Sequence, residues 1–151
     1  MFAHPSFDAH ERVVFFDDPA SGLKAIVAIH STALGPAGGG CRLWTYPDQE
    51  DAVTDVLRLS RGMSYKNAMA GLLMGGGKAV ILGPVADDRM HEVFAAFGRA
   101  VETLGGAYVT AEDVGVSPAD LQVAAAHTSH ISGIRKLDGV GGNPSPFTAR
   151  G

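Results

Sequence analysis

The chain opens with two β-rich runs and then alternates strand-like and helix-like stretches, an order that few architectures satisfy. Arg12 to Phe16 and Leu23 to His30 are rich in β-branched and aromatic residues. Between them, Asp17-Asp18-Pro19-Ala20-Ser21-Gly22 carries turn chemistry, so the pair reads as an antiparallel hairpin with a slightly long loop. Cys41 to Thr45 reads as a third strand. Asp48 can cap a helix whose apolar positions Ala52, Val53, Val56, Leu57 and Met63 recur at helical spacing, continuing towards Lys66 or Asn67. Lys78 to Leu82 is an apolar strand. A second helix carries Met90, Val93, Phe94, Phe97, Val101 and Leu104 on one stripe and stops at Gly105-Gly106, and Ala107 to Thr110 is a further strand. Ser117 and Pro118 begin a third helix, to about Ala126, through an N-cap and a first-turn proline. The expected fold is α/β: an N-terminal hairpin feeding a mixed, largely parallel sheet whose helical crossovers sandwich it.

With 151 residues and 46% hydrophobic content, the chain fits one domain burying about two-thirds of its unfolded surface. A net charge of -4, with Lys and Arg scattered, shows neither a nucleic-acid footprint nor a polybasic membrane patch. Small-molecule partners are expected. Cys41 is the only cysteine, which rules out an intramolecular disulfide framework, suits a reducing compartment and reads as a small buried residue. The N-terminus lacks the basic and apolar regions of a signal segment, and no apolar run reaches about 18 residues, so a soluble, cytoplasmic protein is expected. Gly139 to Pro146 reads as a domain exit. Ser145 to Ala149 reads as the start of a helix that Gly151 would cut short.

The chemistry centres on Lys66 and Lys78, which lie in a stretch with no Asp or Glu between Asp55 and Asp87. A lysine entering an apolar strand after three glycines is poorly placed to stay hydrated. Desolvation favours its neutral form and suits it to proton transfer, while Lys66 could hold an anion beside it. The plainer alternative puts Lys78 at the solvent edge of its strand and Lys66 at a helix C-terminus, complementing its dipole. Gly35-Pro36-Ala37-Gly38-Gly39-Gly40 reads either as a loop or bulge, or as backbone left bare for a ligand. Gly75-Gly76-Gly77-Lys78 is not a phosphate-binding P-loop, because residue 72 is Leu, residue 79 is Ala, and the cluster precedes its strand. No Gly-x-Gly-x-x-Gly joins a strand to a helix, so the dinucleotide fingerprint is missing. Asp113 follows a strand, where a carboxylate either ties a turn or reaches into a cleft. His127 and His130 lack accompanying carboxylates and indicate no metal; Trp44 and Tyr46 read as packing groups.

Five ordered motifs together resemble one family. They are Leu34 to Arg42 (Leu-Gly-Pro-Ala-Gly-Gly-Gly-Cys-Arg), Met63 to Ala68 (Met-Ser-Tyr-Lys-Asn-Ala), Gly75 to Lys78, Thr110 to Gly115 (Thr-Ala-Glu-Asp-Val-Gly), and Gly142 to Ala149 (Gly-Asn-Pro-Ser-Pro-Phe-Thr-Ala). They resemble the Glu/Leu/Phe/Val amino-acid dehydrogenases, the leucine, phenylalanine and valine branch most closely. The resemblance runs from about Arg12 to Gly151 and implies the family's N-terminal domain, which binds the amino acid and builds the oligomer. The nucleotide-binding domain would then follow residue 151, and residues 1–151 alone would be inactive. Such enzymes convert an apolar L-amino acid, water and NAD or NADP to a 2-oxo acid, ammonium and the reduced cofactor.

By that resemblance, Lys66 would pair with the substrate carboxylate, with the Gly39 and Gly40 backbone close to it. Lys78 would be the base that activates water, Asp113 would hold the amine and pass protons, Met63 would line the pocket, and Thr148 would lie near the nicotinamide. Leucine-type relatives tend to carry a bulky Leu where this chain has Gly38, which implies a larger pocket; Ala111 looks leucine-like, so the two disagree on the substrate. The hairpin edge suits self-pairing, and a homo-oligomer is expected. The alternative is a non-catalytic module that binds an amino or 2-oxo acid, or a dimerisation partner.

Overall fold

Among the described residues five strands form one sheet: β1 (Arg12–Asp18), β2 (Leu23–Ser31), β3 (Ala37–Trp44), β4 (Gly75–Leu82) and β5 (Tyr108–Glu112), in the order β1-β2-β4-β3-β5. The computed structural model describes residues 1–134. β1 pairs antiparallel with β2, and β2 with β4, while β3 runs parallel to both β4 and β5. The sheet is therefore mixed, with the hairpin at one edge and the parallel strands grouped at the other.

Among the described residues three α-helices cover it: α1 (Gln49–Met69), α2 (Met90–Glu102) and α3 (Pro118–Ala125). Asp48 caps α1 by accepting from the Asp51 N–H at 2.9 Å. Ser117 and Asp120 close a reciprocal capping box on α3. Strand alternation splits the core in two. Ile26, Ala28 and Val80 pack against Ala52, Val53, Val56 and Leu57 of α1. On the opposite face Val27, Cys41, Ala79 and Ile81 meet Phe94, Phe97 and Val101 of α2 and Leu121 of α3.

Two glycine clusters differ from their expected setting. β3 begins at Ala37, so Gly38 to Gly40 are strand and not loop, and β4 begins at Gly75, which puts Lys78 inside its strand and not at its start. Glycine is a poor strand former, but β3 lies between two paired neighbours, and that pairing overrides local preference. A side chain at Gly76 would overlap the α1 backbone at Ser64, and one at Gly77 would strike the Tyr108 ring 2.7 Å away. The glycines of β4 thus let α1 and Tyr108 press against the strand.

Candidate functional site

Lys78 lies opposite Ala28 and two residues before Val80, so alternation sets it on the face that α1 covers. Arg42 pairs with Val80, and Gly38 and Gly40 share its face of β3. The last turns of α1 cross above them. The result is an open cavity of about 360 Å³ lined by Gly38, Gly39, Gly40, Met63, Lys66, Lys78, Ala111 and Asp113. These are all the substrate-binding and catalytic residues expected from sequence. Thr148 lies outside the described residues. A larger hollow of about 500 Å³ beneath the N-terminal segment is less equipped, because its His4 and Glu50 already meet each other at 3.0 Å.

The two lysines are unlike. The Lys78 side chain is 7% exposed, and its Nζ donates to Asp113 Oδ2 at 2.8 Å. The acid-free stretch around it in sequence is thus neutralised from 35 positions away. Asp113 is no mere turn tie. Lys66, in the last turn of α1, is exposed and forms no ion pair among the described residues, leaving its ammonium available to the cavity. The desolvation expected of Lys78 is present, while Lys66 keeps its contact with solvent.

Behind Asp113 the charges continue in a row. Arg42 Nε donates to the same Oδ2 at 2.9 Å, and its Nη1 donates to Asp55 Oδ2 at 2.9 Å. The Tyr46 hydroxyl donates to that Asp55 oxygen at 2.7 Å. Burial opposes ionisation of Asp113, but the bonds and charges of Lys78 and Arg42 outweigh it and hold its carboxyl below the usual carboxylate range. Burial, reinforced by Asp55, pushes the Tyr46 phenol well up, so it remains a donor. Tyr46 is therefore more than the packing group expected of it.

The glycines of β3 bring backbone to the cavity wall. A side chain at Gly39 would overlap the Gly77 carbonyl, and one at Gly40 would meet the Asp113 Cβ at 2.8 Å. The Tyr108 hydroxyl donates to the Gly39 carbonyl at 2.7 Å, and Asn67 Nδ2 donates to the Gly75 carbonyl at 2.7 Å and to that of Gly38 at 3.3 Å. At Gly38 the missing side chain leaves room that Met74 enters. The Met74 methyl lies 2.5 Å from where a Cβ would stand, so Met74 occupies that volume.

A family model for the Glu/Leu/Phe/Val dehydrogenase dimerisation domain matches residues 10–130. The chain belongs to this family. It is 54% identical over 142 residues to a leucine dehydrogenase of Bacillus subtilis, covering 94% of this chain and 39% of that protein. It is also 54% identical over 148 residues to a valine dehydrogenase of Streptomyces virginiae, covering 98% of this chain and 41% of that protein. Among solved structures, L-tryptophan dehydrogenase from Nostoc punctiforme superposes with a TM-score of 0.75 at 41% identity, over 83% of this chain and 37% of that one. The chain thus spans about two-fifths of the length of these dehydrogenases.

Within this dehydrogenase domain, sequence reasoning passed over Arg42, Asp55, Asn67 and Met74. Arg42 was findable, because it stands two and four residues from Gly40 and Gly38 on one strand face. Met74 was not, since its reach into the Gly38 space depends on how the loop after α1 returns to β4.

Proposed function

We propose that this chain is the substrate-binding and oligomerisation part of an NAD(P)-dependent dehydrogenase that oxidatively deaminates an apolar L-amino acid to a 2-oxo acid and ammonium. One arrangement carries the reading: an available ammonium, Lys66, and a buried Lys78–Asp113 pair line a single cavity whose walls also include glycine backbone and the apolar Met63, Met74, Val109 and Ala111. A zwitterionic amino acid needs a cation for its carboxylate, an anion for its amine and an apolar wall for its side chain. In this reading Lys66 holds the carboxylate, with the Gly39 and Gly40 backbone beside it. Asp113 receives the amine. Met63, Met74 and Ala111 contact the side chain. Lys78 first passes a proton to Asp113 across their 2.8 Å contact, and its neutral Nζ then takes a proton from the attacking water.

The described residues do not suit a dinucleotide: their cavity is small, and no glycine-rich turn joins a strand to a helix. The nicotinamide, when bound, supplies the hydride acceptor, and it is proposed to be held by residues outside this domain, with Thr148 near it. The chain's own contribution is to bind, orient and deprotonate. Self-association is proposed through β1, an edge strand that leaves Phe15 49% exposed. A cytoplasmic setting is part of the same proposal; no helix among the described residues is long and apolar enough to cross a membrane.

The test joins residues 1–151 to the remaining portion of the Bacillus subtilis leucine dehydrogenase and follows cofactor reduction with leucine, valine and phenylalanine. The hybrid is expected to turn over, to lose about 100-fold or more in Lys78→Ala, and residues 1–151 alone are expected to show no turnover. A folded, nucleotide-binding hybrid without activity on any apolar amino acid would contradict the reading and favour a binding or dimerisation module.

A further inference from the structure

We infer that Arg42, steadied by Asp55, is a positioning residue that fixes the Asp113 carboxylate with Oδ2 saturated and Oδ1 left to receive the substrate's amino group. The inference rests on the amino-acid reading of the cavity. Both cations that reach Asp113 meet the same oxygen: Lys78 Nζ at 2.8 Å and Arg42 Nε at 2.9 Å. Among the described residues Oδ1 accepts nothing, and no buried side-chain polar atom there lacks a partner, so Oδ1 lies where solvent or a ligand can reach it. Asp113 is part of the cavity wall, whereas Arg42, Asp55 and Tyr46 are behind it. Arg42 thus acts through Asp113 and not on substrate.

The geometry explains why one cation would not suffice. A lysine is a point charge on a flexible stem and leaves a carboxylate free to rotate about its own bond. A second donor from another strand removes that freedom, and the planar guanidinium does so in a fixed direction. Arg42 is itself held, because its Nη1 bonds Asp55 Oδ2, which also accepts from the Tyr46 hydroxyl. Asp55 has a second effect. The row Lys78, Asp113, Arg42, Asp55 alternates in sign and sums to zero, so a substrate ammonium approaching Oδ1 does not meet an excess of positive charge. The other charged groups around Asp113 are Glu112, its neighbour in the chain, and Lys66 on α1, both on the cavity wall. Neither shares a hydrogen bond with Asp113.

Two measurements test this. The first follows the Asp113 carboxyl carbon of residues 1–151 by NMR as pH is varied, in the parent, Arg42→Gln, Arg42→Lys and Asp55→Asn. The midpoint is expected to rise by about one pH unit in Arg42→Gln, to stay near the parent value in Arg42→Lys, and to fall in Asp55→Asn, which removes a like charge from the row. The second measures the hybrid dehydrogenase across pH. Arg42→Gln is expected to move the acid limb of kcat/KM upward by a similar amount and to lower kcat about 10- to 100-fold. Arg42→Lys keeps the charge but cannot reach both carboxylates at once; it is expected to restore the acid limb while recovering only part of kcat. Should Arg42→Gln fail to fold, Asp55→Asn, which leaves Arg42 in place but no longer steadied, carries the test through its kcat, which is expected to fall. Unmoved midpoints in Arg42→Gln and Asp55→Asn would overturn the inference, as would shifted midpoints with kcat and its acid limb unchanged. An inactive parent hybrid would instead count against the dehydrogenase reading, and the carboxyl titration would still decide the role of Arg42.

Discussion

Lys78 Nζ and Asp113 Oδ2 lie 2.8 Å apart although their strands do not pair, since β3 runs between β4 and the β5 end that carries Asp113. The contact crosses β3 at Gly40, where any side chain would strike the Asp113 Cβ. The glycine-rich sequence of β3 is thus a condition for the buried pair as well as for backbone access to a ligand.

Breaking that pair leaves a buried charge alone. Asp113→Ala is expected to destabilise the domain by about 3–5 kcal/mol, because Lys78 would keep its burial and lose the carboxylate that is its one ion-pair partner among the described residues. Urea unfolding at neutral pH measures it. A loss below about 1 kcal/mol would show that Lys78 escapes to water.

Acid should weaken the fold in two separate windows. The Asp113 carboxyl is held below its ordinary value of 3.8, so its contribution is complete above that pH and fades as pH falls through the lower folded value. His10 is depressed from 6.5 chiefly by burial, with its Nε2 against the Leu57 carbonyl at 3.0 Å. Its unfolded form takes up a proton more readily, so stability drops as pH falls below 6.5 and levels off beneath the folded value. Unfolding midpoints from pH 7 to 2 should show both steps. Asp113→Asn is expected to shrink only the lower one, to which the depressed Glu11 and Asp18 also contribute, and His10→Gln to remove only the upper.

Much of the fold was legible because capping and periodicity are local. Asp48, Ser117 with Pro118, and the stripe from Met90 to Leu104 each marked a helix that the structure contains. Gly38 to Gly40 and Gly75 to Gly77 misled, since their strand state comes from neighbours on both sides. The lysines were legible as chemistry but not as a circuit. Asp113 neutralises Lys78 across the sheet, and Met74 fills the space at Gly38 from another loop, contacts that no window of sequence holds.

Met74 should set how large a side chain the cavity accepts. Met74→Ala is expected to shift preference from aliphatic towards bulkier 2-oxo acids by about 10-fold or more, within the 1–3 kcal/mol that an apolar wall commands. Competition between the oxo acids of valine and phenylalanine reads this directly. An unchanged ratio would place the substrate side chain elsewhere.

Asn67 ties the end of α1 to two strands through the Gly38 and Gly75 carbonyls. Asn67→Ala is expected to cost about 1–3 kcal/mol by leaving buried carbonyls unpaired. Thermal unfolding measures it; a smaller cost would indicate that water replaces the amide.

The amino-acid site itself is tested most directly by calorimetric titration of residues 1–151 with the 2-oxo acid of leucine, comparing the parent with Lys66→Ala. Lys66 is exposed, so the substitution leaves the core intact, and affinity should fall at least about tenfold with the loss of one charge-assisted bond. Binding that is equally strong without Lys66, or no binding by a folded parent, would contradict the assignment of this cavity.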